Sequence, residues 1–307
     1  MIISLNNDDI RKKNMFKYCV VIVTYNRLTL LKECLEHVMQ QSVAPYAVVV
    51  IDNCSTDGTA EYLDRYSANR KCNFYVRHTN ENIGGAGGFN LGLREGVKNT
   101  DAEWFMLIDD DAILDYDCMR LMDPSTAVNQ SLAYACSVYV KGQIDLSHRI
   151  LKNNDVDETY YQKEEFACDF ATFCGLMISR EIVKEYGYPE EDFFIWLDDT
   201  EYCMRFNKKN RIFVRTNAFL NHKTTIAVNN KTVTWKDYYG IRNHIYIIKK
   251  YHLNSELRVF IWILLKRCIK SFITFQWHNI GLFYNALFDG FRMRMGRNSR
   301  YMPGVWK

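Results

Sequence analysis

Trp104-Phe105-Met106-Leu107-Ile108-Asp109-Asp110-Asp111 is the stretch from which the rest of the chain is best read. An apolar and aromatic run too short for an ordinary helix predicts a buried strand. Here it ends in three consecutive carboxylates. Side chains alternate along extended backbone, so Asp109 and Asp111 are expected on one side and Asp110 on the other. Two carboxylates on one side form an oxygen clamp suited to Mg²⁺ or Mn²⁺, ions that in turn hold the phosphates of a substrate. A solvated acidic turn would show the same residues, and the segments on either side argue for the clamp.

Upstream, Tyr18 to Thr24 is a continuous β-branched run, the pattern of a strand covered on both faces. Asn26 or Thr29 can cap the helix that follows, where Leu30, Leu31, Cys34, Leu35, Val38 and Met39 fall at helical spacing. Ala47 to Ile51 predicts a second buried strand. It ends in Asp52-Asn53-Cys54-Ser55-Thr56-Asp57-Gly58-Thr59, a turn that opens another helix near Ala60. Such strand–helix–strand units pack as a right-handed parallel layer and bind ligands at the carboxyl ends of the strands. Thr24-Tyr25-Asn26, Asp52 and the Asp triplet all sit at such ends.

Asn73 to Arg77 predicts a third strand, and Asn80 to Asn90 a glycine-rich entry to a helix anchored by Leu91, Leu93 and Val97. Glycines there would allow close backbone approach to a ligand. The stretch is no dinucleotide fingerprint, because Asn90 stands where the last glycine belongs, and no P-loop, because no Gly-Lys-Ser/Thr follows. From Asp115 to Phe166 the chain reads as irregular, with a weak strand around Tyr134 to Val140. Thr172 to Ser179 predicts a strand lining the site. Acidic residues open a helix in Trp196-Leu197-Asp198-Asp199-Thr200-Glu201, where one of Asp198 and Asp199 can orient a hydroxyl and the other act as base. A short strand, Ile212 to Val214, precedes His222.

With 48% hydrophobic residues, 24% charged residues and 4 prolines in 307, the chain is a folded globular protein. Ten cysteines form no CxxC pair or metal-finger spacing, which fits reduced thiols in the cytoplasm. The first seventeen residues lack the apolar core of a secretory signal. From Lys249 onward eleven Lys or Arg face only Glu256 and Asp289, so the tail is the basic part.

In this combination the motifs resemble glycosyltransferase family 2 with the GT-A fold, and in particular its bacterial galactofuranosyltransferase and rhamnosyltransferase branch. The resemblance runs from about Lys17 to Thr225. It rests on Val-Thr-Tyr-Asn-Arg at 23–27, the 52–59 turn, Asn82-Ile83-Gly84-Gly85-Ala86-Gly87-Gly88-Phe89, the triplet at 109–111 and the acidic 196–201 segment. It implies an α/β fold, a mostly parallel sheet flanked by helices with a C-terminal helical extension. Three parts are expected: a polar segment at 1–16, a catalytic domain at 17–228 and a basic, aromatic-rich helical region at 229–307.

The resemblance further implies that Thr24, Asn26 and Asp52 hold the nucleobase and ribose of a sugar nucleotide, UDP-galactofuranose before dTDP-rhamnose. Arg27, Asn82, Gly84, Gly85 and Asp110 would complete the donor site. Asp109, Asp111 and His222 would hold Mn²⁺ or Mg²⁺ on the diphosphate, Asp199 would be the catalytic base beside Asp198, and Trp196 and Glu201 would meet the acceptor. Leu197, between Trp196 and the Asp pair, departs from the family pattern. Tyr238 to Asn243 resembles a segment that follows the catalytic domain in this branch and is expected to help close the site.

No apolar stretch in the tail is suited to span a bilayer. Val259 to Leu265 is too short, and polar residues interrupt Ser271 to Phe288. Aromatic residues mixed with Lys266, Arg267, Lys270, Arg292, Arg294, Arg297 and Arg300 instead suit an anionic membrane interface, or a helical domain with a solvated basic face. A lipid-linked acceptor would favour the first, at the inner face of the cytoplasmic membrane. Three other functions fit less well. A haloacid-dehalogenase-type phosphatase needs Thr or Val where Ala112 stands. A dead nucleotide-binding or membrane-attached scaffold would be expected to lack Asp199 or part of the triplet. Nucleic-acid binding has no recognition motif here.

Overall fold

The computed structural model describes residues 16–69, 73–152, 155–224 and 232–306. Its first half follows the βα rhythm: β1 (Tyr18–Thr24), α1 (Leu28–Met39), β2 (Ala47–Asp52), α2 (Thr59–Ala68), β3 (Asn73–His78), α3 (Gly84–Asn99), β4 (Trp104–Asp109) and β5 (Ala112–Leu114). There follow β6 (Ala133–Val140), β7 (Glu165–Cys168), β8 (Leu176–Ser179), α4 (Arg180–Tyr186), α5 (Asp198–Phe206) and β9 (Ile212–His222). Three helices close the chain: α6 (Trp235–Lys250), α7 (Asn254–Ile273) and α8 (Trp277–Phe291).

One large sheet runs β3-β2-β1-β4-β8-β6-β9-β5, with β7 also paired to β9. The β3-β2-β1-β4 half is parallel, as the sequence predicts. Beyond β4 the sheet is mixed: β8 is antiparallel to both neighbours, and β6 and β9 are parallel. Every residue of β1 is buried because helices cover both faces. Val20 and Ile22 pack with Leu31, Leu35 and Val38 of α1, whereas Val21 and Val23 pack with Phe89 and Leu93 of α3.

Several local expectations differ from the fold. Neither Asn26 nor Thr29 caps α1; Asp57 accepts a hydrogen bond from the Leu28 N–H at 2.9 Å from across the β2 turn. The segment read as a weak strand is β6, buried in the middle of the sheet on small residues such as Ala133, Ala135 and Ser137. The strand before His222 is eleven residues long and carries His222 at its own end, with an irregularity between Arg215 and Phe219. The glycine-rich stretch is mostly helix, since α3 starts at Gly84 and most of the glycines lie inside it. A Cβ at Gly88 or Gly92 would stand 2.5 Å or 2.4 Å from a methyl group of Val23 or Val21, so these glycines let α3 lie tightly on β1.

Sheet order reverses beside β1, with β2 and β3 on one side and β4 on the other. Open α/β sheets bind ligands at such a switch point, outside the carboxyl ends of the strands. Thr24 is in register with Asp52, and Val23 with Asp109. The boundary expected at 228/229 and all but the last residue of the polar segment expected at 1–16 lie outside the described residues. The C-terminal helices have their own core of Tyr238, Tyr239, Leu264, Leu282 and Phe283, which also takes in Phe194 from the preceding region. Among the described residues, no helix is long and apolar enough to cross a membrane.

Candidate active site

A cleft of about 540 Å³ opens over the carboxyl ends of β1 and β4, within the size range of small-molecule sites. The acidic triplet forms its floor. Because β4 ends at Asp109, alternation does not continue through the turn, and all three carboxylates line the cleft instead of two. Thr24 donates its hydroxyl to Asp110 at 2.7 Å. Arg27 reaches both Asp110, at 3.2 Å, and Asp111, at 2.7 Å. On the other side His222 Nε2 lies 3.2 Å from Asp111 Oδ1.

Burial pushes Asp109 up to about 7, reinforced by the like charges of Asp111 and Asp110. Burial likewise lifts Asp110 to about 6, against the pull of Arg27. Burial acts the same way on Asp111, yet His222 and Arg27 outweigh it and hold this carboxyl below its ordinary range. His222 is lowered by burial and raised more strongly by Asp111, so its pKa ends above the usual value. His222 Nδ1 is buried without a hydrogen-bond partner, and the described contact of Asp111 Oδ1 is the one to His222 Nε2. Clustered carboxylates beside an imidazole nitrogen with no hydrogen-bond partner form a donor set able to hold a divalent cation.

Asp198 and Asp199 enter the same cleft at the start of α5. Burial and the charge of Asp199 push the Asp198 carboxyl well above its ordinary range. Burial also raises Asp199, although Thr200 donates to its Oδ1 from the backbone at 2.6 Å. The loop that delivers them is strained. Phe194, Trp196 and Leu197 all have positive φ, at 65°, 67° and 68°, conformations costing about 1–3 kcal/mol each outside glycine. Leu197, the departure from the family pattern, is thus accommodated as a left-handed residue directly before the Asp pair.

Asn243 of α6 holds this loop, donating its amide to the carbonyls of Phe193, Ile195 and Trp196 at 3.0, 3.1 and 2.8 Å. Arg242 adds hydrogen bonds to the carbonyls of Asp192 and Phe193. Gly240 lies under the half-exposed Trp196, where a Cβ would be 2.8 Å from the indole ring. The Tyr238–Asn243 segment therefore supports the site from behind rather than covering it. Asn243→Ala is expected to lower turnover more than it lowers melting temperature, with substrate KM rising as Trp196 loses its anchor. A fall in stability alone, with unchanged kinetics of the folded fraction, would argue against this role.

The sequence profile described as glycosyl transferase family 2 matches residues 19–187, more than half of the chain. The chain belongs to glycosyl transferase family 2. It is 22% identical over 240 residues to the galactofuranosyltransferase GlfT2 of Mycolicibacterium smegmatis, a match covering 69% of this chain and 37% of that protein. It is 25% identical over 258 residues to the dTDP-rhamnosyl transferase RfbF of Shigella flexneri, covering 78% and 82%. The chain thus spans little more than a third of GlfT2 but most of RfbF. Among solved structures, GalNAc-T7 with UDP, GalNAc and Mn²⁺ superimposes with a TM-score of 0.61 at 13% identity, over 77% of this chain and 48% of that one. The fold is shared with GT-A glycosyltransferases.

Not every residue expected at this family 2 site reaches the cleft. Asn26, at φ 53°, accepts from the Thr56 N–H at 2.7 Å. Buried Asp52 accepts from the Ser55 N–H at 3.0 Å and pairs with His78 Nδ1 at 2.8 Å. Both side chains tie loops together and leave Thr24, Tyr25 and Asn53 on the cleft wall. Asn82 lines it while accepting from the Gly84 N–H at 2.8 Å. Gly84 and Gly85 both line it; a Cβ added to Gly84 would strike the Phe194 carbonyl, whereas one added to Gly85 would meet nothing.

Glu201, expected to touch the acceptor, does not line the cleft. It is fully buried and ion-paired to Arg205 and to Lys250 at 2.8 Å, and it accepts the Tyr251 hydroxyl at 2.7 Å. Burial raises its pKa, but Arg205 and Lys250 pull harder and leave it lowered. Breaking a buried pair from one side leaves the partner charge unmatched, so Glu201→Gln is expected to destabilise by about 3–5 kcal/mol. Urea denaturation above pH 6 checks this. A change in acceptor KM without loss of stability would return Glu201 to the acceptor site.

Thr172, Phe173 and Cys174 line the cleft, as expected of the 172–179 segment, although its strand starts only at Leu176; His148, and Trp235, Lys236 and Pro303 from the C-terminal region, are cleft residues the sequence reading does not name. Lys236 forms no ion pair among the described residues. Burial lowers its pKa, with Arg27 adding to the effect against Asp109 and Asp111. Burial and nearby Arg149 push His148 down to about 4, leaving it a neutral imidazole.

Proposed function

We propose that the chain is a metal-dependent inverting glycosyltransferase. It would move a sugar, best taken as galactofuranose from UDP-galactofuranose, onto a hydroxyl of a glycan or lipid-linked glycan acceptor in bacterial surface polysaccharide synthesis. The observation that carries this reading is the convergence of the triplet and the Asp198–Asp199 pair in one cleft. The likeness to GlfT2 favours UDP-galactofuranose. The likeness to RfbF, which spans most of that protein, makes dTDP-rhamnose the second choice.

Asp109, Asp111 and His222 would hold Mn²⁺ or Mg²⁺, and the clustered carboxylates with the unpartnered His222 Nδ1 fit that role. When bound, such an ion neutralises the charge that builds on the leaving diphosphate. The chain's own groups do the rest. Arg27 and Lys236 offer cations to the phosphates, and Asp198, whose carboxyl burial and Asp199 bias toward the protonated form, orients the acceptor. Asp199 takes the proton of the acceptor hydroxyl as its oxygen attacks the anomeric carbon from the face opposite the diphosphate. One displacement inverts the configuration.

A thermal-shift screen of UDP, dTDP, GDP and ADP with and without Mn²⁺ tests the reading, because ligands of the folded state raise its apparent stability. A metal-dependent shift with UDP alone supports it; a dTDP preference moves the donor to dTDP-rhamnose. No response to any nucleotide would leave the scaffold reading in its place.

The acceptor reading draws on α7 and α8, which show apolar side chains to solvent. On α7 these include Val259, Trp262, Ile263, Ile269 and Ile273, opposite the buried Leu264 and Ser271. On α8 Trp277, Tyr284, Phe288 and Phe291 form a stripe at helical spacing. Exposed Lys266 and Lys270 lie within the α7 face, and Arg292 and Arg294 lie at the end of α8. Trp and Tyr with interspersed cations suit an anionic bilayer surface, so this face would seat the enzyme at the inner membrane beside a lipid-linked acceptor. Flotation with phosphatidylglycerol vesicles, and none with neutral vesicles, is the expected result. Concentration-dependent dimerisation without flotation would assign the face to a second copy.

A further inference from the structure

His148 and Cys174, which the proposed reaction leaves unused, converge on His222. The three bring a nitrogen, a sulfur and a nitrogen to within 4.8 Å of one another. The two imidazole rings stand edge to face, 5.2 Å between centroids. Fully buried Arg149 fixes the backbone of the first two, donating to the carbonyls of His148 at 2.8 Å and Cys174 at 2.9 Å. His148 Nδ1 lies 2.7 Å from the Thr172 hydroxyl, the kind of outer contact that orients a metal-bound imidazole. His222 Nδ1, moreover, is buried and has no hydrogen-bond partner.

We propose that His148, Cys174 and His222 form a site for a borderline-soft dication, Zn²⁺ foremost, overlapping the oxygen-rich site of Asp109 and Asp111. A two-nitrogen, one-sulfur donor set suits Zn²⁺ and is poorly matched to Mn²⁺ or Mg²⁺, which prefer carboxylate. Three protein ligands leave a fourth tetrahedral position facing the cleft that all three residues line. On binding, a bond forms between the metal and Cys174 Sγ and the thiol proton leaves to solvent. Burial alone disfavours a bare thiolate here, but a dication bonded to the sulfur supplies the missing counter-charge. An imidazole engaged by Zn²⁺ serves a second ion only by losing its last ring proton. Zn²⁺ therefore antagonises the catalytic ion. The antagonism rests on the metal-dependent reading above; the site itself does not.

Co²⁺ is the probe, because it replaces Zn²⁺ and reports its own ligands. Titration of the full chain with Co²⁺ should give the intense visible bands of four-coordinate cobalt and a near-ultraviolet thiolate-to-cobalt charge-transfer band, both removed by Zn²⁺. Cys174→Ser should remove the charge-transfer band, and His148→Gln should weaken Co²⁺ binding at least about ten-fold. Zn²⁺ should inhibit Mn²⁺-supported turnover, with an inhibition constant at least about ten-fold higher in either variant. Only weak six-coordinate bands without charge transfer would overturn the site, as would a charge-transfer band that survives Cys174→Ser. If Cys174→Ser fails to fold, the wild-type spectrum and His148→Gln decide. Lack of turnover with every divalent ion would sink the transferase reading while the cobalt spectrum still judged the site.

Discussion

Asp199→Asn is expected to lower turnover by roughly 10²–10⁴-fold, the usual worth of a general base, while the dissociation constant for UDP stays within about two-fold of wild type. The side chains differ by one atom and a charge, so the Thr200 backbone N–H can still donate to the retained oxygen. What is lost is the ability to accept the acceptor's proton. The pH profile gives the second readout. Burial raises the Asp199 pKa, and the base works only when ionised, so turnover should climb with pH through a range above that of ordinary carboxylates. In Asp199→Asn that limb should vanish with the activity. Near-normal turnover in the variant would remove Asp199 from the role and pass it to Asp198, the other carboxylate at the start of α5.

Much of this site was legible because its scaffold is local. The β-branched runs of β1 and β2 and the apolar stripe of α1 are short-range patterns, and each places a polar residue at a strand's carboxyl end. The acidic triplet was visible for the same reason. What escaped depends on contacts far apart in sequence. Arg27 meets Asp110 and Asp111 across 83 and 84 positions, and Asn243 holds Trp196 across 47. Glu201 carries the letter of a site residue, but the cations that neutralise it inside the fold include one 49 positions downstream. β9 was read short because Arg215, Thr216 and Asn217 interrupt its apolar pattern, although Arg215 pairs with buried Glu165 on β7 at 2.9 Å. The glycines of α3 misled in another way. Their service is to the Val21 and Val23 side chains beneath them, and a need for close packing leaves the same residues as a need for a ligand.

Asp109→Asn should move stability and function in opposite directions. In the metal-free protein the Asp109 pKa stands at about 7, raised by burial and by Asp111 and Asp110. In the unfolded chain it returns to the ordinary value of about 4. The folded state therefore binds the extra proton between those values, and stability falls as pH rises through that window. By pH 8 the ionised carboxylate costs the metal-free fold on the order of a few kcal/mol, a cost the asparagine does not carry. With EDTA present, urea denaturation at pH 5 and pH 8 should show a wild-type loss of stability that Asp109→Asn reduces but does not abolish, because Asp110, lifted to about 6, still loses its proton in that window. Mn²⁺ should restore the wild type at pH 8 and do little for the variant, whose turnover should be lost with the ion. If Mn²⁺ stabilised both proteins equally, Asp109 would not be a ligand. If the pH dependence survived the substitution undiminished, its source would be Asp110, the other triplet carboxyl raised by burial, and not Asp109.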